Sequence, residues 1–203
     1  MKSITFLLFA LALSFSACKE QAAEKNSCCS TKPAMAQKTS GVLPEASLYQ
    51  LNQQWKNQNG EPVQLSDFKG IPVVMTMIFT HCEYACPMMV NDLKMVEDQF
   101  TEKHQNVKFV LISFDHERDT PDRLLEYAKT QQLGENWVLL HGQAEQVKEL
   151  AMVLDISYEQ LENGAFAHAN KKFVLNAQGE LVFSQEGLQT KAEPVLKALN
   201  KLL

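Results

Sequence analysis

The chain has 203 residues, of which 45% are hydrophobic and 21% charged, and carries a net charge of −5 at pH 7. This is an ordinary composition for one globular domain and excludes a basic, nucleic-acid-binding protein. A folded portion of roughly 155 residues would bury about 70% of its unfolded surface, so no stapling disulfide is needed for stability.

Residues 1–18 hold Lys2, an apolar run from Ile4 to Phe15, small residues and Cys18. The run is too short for a comfortable membrane span and suits the core of a signal peptide. Phe15-Ser16-Ala17-Cys18 resembles a bacterial lipobox, with Phe15 where Leu is commoner. The expectation is a lipoprotein-type signal ending at Cys18. Lipidation there would anchor the protein to a membrane of the bacterial cell envelope and leave the domain facing the periplasm or extracytoplasmic space. Export also places the remaining cysteines in a disulfide-permissive compartment. Residues 19–45 read as a flexible tether, rich in Ser, Lys, Ala, Gln and Thr. About 25 such residues reach at most ~85 Å when extended. Cys28-Cys29 lie within it, either as a soft-metal trap or as an incidental pair.

The folded domain spans 46–203. Val63-Gln64-Leu65 alternates like a short strand, after a turn at Gly60. Ile71 to Phe79 is a continuous apolar run that suits a buried central strand. Pro87 to about Lys103 has Met88, Leu93, Val96 and Phe100 at helical spacing. Val107 to Phe114 is a second buried strand. Thr120 and Pro121 open a helix as N-cap and first helical residue, and Gly134 is its expected stop. Trp137 to His141 is a strand, Gln143 to Leu154 a helix and Ser157 to Ala167 a loop. Lys172–Leu175 and Leu181–Ser184 flank Asn176-Ala177-Gln178-Gly179 as a hairpin. Thr190 to Leu203 is a final helix. This alternation predicts an α/β fold with a central mixed sheet flanked by helices, ending in a hairpin and a helix.

Chemistry concentrates in Phe79-Thr80-His81-Cys82-Glu83-Tyr84-Ala85-Cys86-Pro87, where a buried strand gives way to a helix. Reactive groups in open α/β sheets favour the carboxyl ends of strands. Pro87 is expected to keep Cys86 out of helical geometry. Both sulfurs then lie near a helix N-terminus, whose partial positive charge favours thiolate. Thiolates are nucleophiles and soft-metal ligands alike, so a redox pair and a copper site both remain open. Three residues separate the cysteines, against two in a thioredoxin dithiol. That spacing can chelate an ion and still permit a disulfide. Two thiolates suit Cu(I), and an added imidazole extends the site to Cu(II). His168 is the candidate third ligand. His81 is a local charge or an exposed side chain, His104 and His141 read as surface or loop residues, and His116 as a surface residue or a weak ligand or proton carrier. Met88 and Met89 read as core filler or as thioethers that assist Cu(I), and Trp55 and Trp137 as packing residues.

Taken in order, FTHCEYACP, ISFDHERDTPD and HANKKFVLNAQGEL resemble the SCO/SenC family of copper-binding, thioredoxin-like proteins. The resemblance implies a thioredoxin-like fold, with Cys82, Cys86 and His168 as ligands of copper, Cu(I) or Cu(II). Asp115 matches the family's acidic residue near the site, implicated in partner contact. His116 stands where the family usually has Pro, and Ala167 where it often has Asp. The implied function is a copper metallochaperone that receives copper from an upstream donor. It would deliver the metal to the acceptor subunit of a respiratory oxidase, at the binuclear copper centre of cytochrome c oxidase. The alternative is an extracytoplasmic thiol–disulfide oxidoreductase in which Cys82 and Cys86 form a redox-active pair that reduces the acceptor's cysteines.

Overall fold

The structure is a computed structural model and describes residues 43–101 and 106–202. The signal segment with Cys18, nearly all of the expected tether with Cys28 and Cys29, and His104 lie outside the described residues.

Strands β1 (Trp55–Asn57), β2 (Pro62–Val63), β3 (Val73–Ile78), β4 (Lys108–Ser113) and β5 (Trp137–His141) alternate with helices α1 (Ala85–Thr101), α2 (Pro121–Thr130) and α3 (Ala144–Val153). Strands β6 (Tyr158–Gln160), β7 (Phe166–His168), β8 (Lys171–Leu175) and β9 (Leu181–Glu186) precede a short helix, α4 (Glu193–Leu199). Seven strands form one sheet in the order β2-β1-β5-β4-β3-β8-β9, while β6 and β7 form a separate antiparallel pair. β3, β4 and β5 run parallel, and β1 and β8 join them antiparallel. The expected mixed sheet flanked by helices is therefore present.

Every residue of β3 is buried, because apolar side chains meet a core on both faces. Val74 and Ile78 face the layer built by α1, α2 and α4, with Leu93, Leu124 and Val195. Val73, Met75 and Met77 face the opposite layer, with Trp55, Val147 and Leu150. β4 divides the same way, with Phe109 and Leu111 on one side and Val110 and Ile112 on the other. Period-two alternation across a two-sided core thus explains why the run reads as continuously apolar.

One polar pair crosses the first layer. Lys172 Nζ on β8 donates to Asp92 Oδ2 on α1 at 2.7 Å and to the carbonyl of Gly187 at 2.9 Å. The same carboxylate oxygen accepts from Thr190 N and Oγ1, both at 3.1 Å. Both charges are buried, so these bonds are what makes the burial tolerable.

Several local expectations are corrected. α1 begins at Ala85, so Cys86 is helical despite the following proline. Pro87 falls in the first turn, where a missing N–H forfeits no helical bond. α2 opens on Thr120, whose side chain accepts from Arg123 N, but it closes before Gly134 as Gln132 takes a left-handed φ of 55°. Leu65 begins a short 3-10 helix, Leu65–Phe68, instead of ending a strand. β1 was not anticipated, nor was the β6–β7 hairpin, which replaces the expected 157–167 loop. α4 covers only part of the expected Thr190–Leu203 helix. The β8–β9 hairpin is as expected, and Gly179 in its turn has φ 82° with the Tyr49 ring 2.5 Å from where a Cβ would sit. Only glycine satisfies both demands.

Candidate metal and dithiol site

β3 ends at Ile78, and the chain turns through Phe79–Tyr84 into α1. Cys82 N donates to the carbonyl of Phe79 at 3.2 Å, which folds the loop back on the strand end. The Cys82 sulfur then faces the first turn of α1 and accepts from Cys86 N at 3.3 Å. It thus does the work of an N-cap, satisfying an amide that a helix start leaves without a partner. The two cysteines are free thiols brought side by side, Cys82 half-buried and Cys86 buried.

Their acidities diverge. The Cys86 thiol donates to the Cys82 sulfur, and the amides of Cys86, Tyr84 and Ala85 converge on it, so Cys82 is pushed down to about 5 against the opposing effect of burial. Cys86 is pushed up, because it is the donor in that sulfur–sulfur bond and is buried beside the charges of Cys82 and Asp119. At neutral pH one sulfur is a half-buried thiolate and the other a buried, protonated thiol. This division follows from the helix start and the depth of each side chain.

Asp119 organises the loop. Fully buried, it accepts from Thr80 N at 2.9 Å and Ser113 Oγ at 2.5 Å through Oδ2, and from Thr80 Oγ1 at 2.5 Å through Oδ1. Arg123 Nε reaches the same Thr80 hydroxyl at 3.1 Å. His81 lies half-exposed with Nδ1 3.6 Å from Asp119 Oδ1. His141, expected as a surface or loop residue, is partly buried with Nδ1 3.0 Å from the Asp119 carbonyl, and burial pushes its pKa down. His116, also expected at the surface, is likewise partly buried, with Nε2 4.0 Å from Glu117 Oε1. Of the methionines, Met89 is wholly buried and Met88 partly so.

His168 ends β7, paired with Tyr158 of β6. Its ring lies against Phe114 at 4.7 Å between centroids and edge-on to Phe79 at 6.2 Å. Phe79 follows β3 and Phe114 follows β4, so His168 sits at the same carboxyl end of the sheet as the cysteines. Its Nδ1 engages the Ala169 carbonyl at 3.1 Å, leaving Nε2 as the nitrogen available to a metal. The structure therefore brings Cys82 and Cys86 together and places His168 on the same rim without gathering all three donor atoms within 4.8 Å.

Among the described residues, the tighter group is His81, Asp115 and Asp119. Its carboxylates are already engaged. Asp119 holds Thr80 and Ser113, and Asp115 accepts from Arg118 N at 3.1 Å and pairs with Arg118 Nε. Their oxygens already serve protein donors that tie the loops together. Asp115 is 1% exposed, so its carboxylate is not open to direct contact from outside. Asp119, with Thr120, matches the family's Asp-Thr segment, but sequence reasoning gave it no role at the site and did not single out Thr80 or Arg118. Asp119 is joined to Thr80 across 39 positions, a separation that leaves no local signature.

A helix-flanked mixed sheet with a cysteine pair where a parallel strand enters a helix defines a thioredoxin-like protein. The SCO1/SenC family profile matches residues 44–203, and the chain belongs to that family. It is 30% identical over 100 residues to the SCO1 protein homolog of Bacillus subtilis, a match that takes in 48% of this chain and 52% of that protein. The chain thus matches about half the length of that relative. A crystal structure of a SCO1/SenC family lipoprotein from Bacillus anthracis superposes with a TM-score of 0.69 at 25% identity, covering 75% of this chain and 96% of that one. Arabidopsis thaliana ScoI, solved with copper bound, shares the fold at a TM-score of 0.67 and 23% identity, over 73% of this chain and 96% of that one. BsSco, described as a member of the Sco family of cytochrome c oxidase assembly proteins, shares it at 0.66 and 22%, over 73% and 90%.

Proposed function

We propose that the chain takes up copper at Cys82, Cys86 and His168 and passes it to a copper-accepting subunit of a respiratory oxidase, the binuclear centre of cytochrome c oxidase being the acceptor. The observation that carries this reading is a half-buried thiolate and a buried thiol at a helix start, with an imidazole on the same rim of the sheet. Copper is cargo here. Two sulfurs and one nitrogen match its softness in either valence, and a low-coordinate site can release it by ligand exchange. Family membership, a relative solved with copper and another named for oxidase assembly support the same reading. We further propose that the leading segment attaches the protein, through Cys18, to a membrane outside the cytoplasm, where it meets both its copper donor and its acceptor.

The test is a copper titration of the reduced protein, followed by optical and spin-resonance spectra. A thiolate-to-Cu(II) absorption band and stoichiometric Cu(I) uptake are expected. Absence of both would overturn the assignment. His168→Ala should abolish tight Cu(II) binding and leave thiol exchange intact.

A second reading draws on the low pKa of Cys82. Its thiolate attacks a disulfide sulfur of the acceptor, expelling one acceptor thiolate and forming a mixed disulfide. Cys86, on losing its proton, attacks the Cys82 sulfur, releases the second acceptor thiolate and leaves a Cys82–Cys86 disulfide. The acceptor gains two electrons and this chain loses them. Such reduction would prepare acceptor cysteines for copper, so the two activities are compatible.

A further inference from the structure

The β6–β7 hairpin that carries His168 shares no ladder with the main sheet. Its attachments to the body can be traced. Phe166 packs on Phe79 at 5.2 Å and on Phe114 at 6.2 Å, and Tyr158 packs on Phe114 at 4.9 Å. These are ring contacts, which hold an element near a surface without fixing it in one place along that surface.

A directional tie is supplied from outside the hairpin. Arg118 lies in the segment between β4 and α2, and its Nε pairs with Asp115 Oδ2. Its Nη2 donates to the carbonyl of Gly164, in the hairpin's connecting turn. Asp115 is itself fixed, since its amide donates to Ser113 Oγ at 2.9 Å. One guanidinium therefore spans from the end of β4 to the turn that precedes β7. Gly164 fits this role in two ways. Its φ of 75° is left-handed, and a Cβ there would stand 3.0 Å from Arg118 Nη1, so the bare backbone lets the guanidinium approach.

We propose that Arg118, held by Asp115, is a positioning residue for His168: it fixes the hairpin turn and so sets where the imidazole stands relative to the two sulfurs. The planar fork suits the task, because one group can grip a carboxylate and a carbonyl at once in a fixed geometry. The inference rests on His168 being a copper ligand.

The experiment compares wild type with Arg118→Gln, Arg118→Lys and His168→Ala in the reduced full chain. Arg118→Gln should lower Cu(II) affinity about 10–100-fold, the usual effect of losing a group that orients a metal ligand. It should also weaken the nitrogen hyperfine signal of bound Cu(II). Cu(I) uptake by the thiolates and the Cys82–Cys86 reduction potential should change little. Arg118→Lys, which keeps the charge but loses the fork, should fall between. Before any metal is added, amide hydrogen exchange over residues 161–168 should quicken in both variants while α1 keeps its protection. Wild-type Cu(II) binding in Arg118→Gln, with His168→Ala impaired, would overturn the positioning role and leave the three-ligand site standing. Wild-type binding in His168→Ala would overturn both. If Arg118→Gln also speeds exchange in α1, the lysine variant decides: unchanged exchange at 161–168 there overturns the inference.

Discussion

The β3–α1 loop and the β6–β7 hairpin carry the two parts of the candidate site, and they are held by different forces. The loop is a continuation of a fully buried central strand and is bolted to Asp119 by two hydrogen bonds from Thr80, of 2.9 and 2.5 Å, while Ser113 of β4 holds the same carboxylate at 2.5 Å. The hairpin rests on aromatic faces and is tied by a single arginine. Hydrogen bonds to a buried carboxylate fix direction and distance, whereas ring packing is less directional. The contrast places both sulfurs in the half fixed by directional bonds, where Cys82 alone is acidified, and the imidazole in the half held by ring packing and Arg118.

The largest expected effect lies in the rigid half. Asp119→Ala strands buried donors at Thr80 and Ser113, and at about 1–3 kcal/mol for each should lower stability by about 3–5 kcal/mol in urea titrations. A loss below ~1 kcal/mol would show that the loop does not depend on the carboxylate. Next comes the chemical asymmetry. At pH 7, Cys82 should alkylate at least about a hundredfold faster than Cys86. Because lowering the pKa keeps the thiolate present down to the folded value, its rate should fall to half only near pH 5. Equal rates measured by mass spectrometry, or a midpoint near that of an ordinary thiol, would erase the distinction between the sulfurs. In the hung half, Phe166→Leu keeps an apolar side chain and should cost about 1 kcal/mol overall. Its signature should be local, with faster hydrogen exchange across β6 and β7 only; an effect as large as that of Asp119→Ala would mean that the hairpin is built as firmly as the loop. The smallest effect is expected for His81→Gln, within about 0.5 kcal/mol by thermal melts, since the ring is half-exposed and 3.6 Å from its carboxylate.

The same two halves differ in how legible they were in the sequence. β3, β4 and β5 announce themselves as apolar runs, and α1, α2 and α3 as periodic stripes, because each meets the core along its length. The cysteine pair and its place at a strand end follow from spacing alone. The hairpin does not. Tyr158–Gln160 and Phe166–His168 are three residues each, with no buried alternation, and become strands only by pairing with one another over the Phe114 platform. His168 as a ligand came from family resemblance, and Arg118 from neither source. Its bond to Gly164 spans 46 positions and depends on tertiary packing. Cys86 was misplaced for a different reason: the usual bias against helix before proline is weakest in a first turn, where few bonds are at stake.

The buried pair Lys172–Asp92 bears on how faithfully the chain assembles. Successive residues of β8 point to opposite layers, Lys172 toward α1 and Phe173 toward the Trp55 core. Slippage of β8 by one residue against β3 would drive an ammonium into an oily layer and leave the Asp92 carboxylate buried with no cation to meet it. An apolar residue at 172 would let the strand dock in either frame with little discrimination. The charge therefore acts as a proofreading mark on the frame. Since His168 precedes Lys172 by four residues and Cys86 precedes Asp92 by six, the same mark checks the relative placement of the segments that carry the sulfur and nitrogen donors.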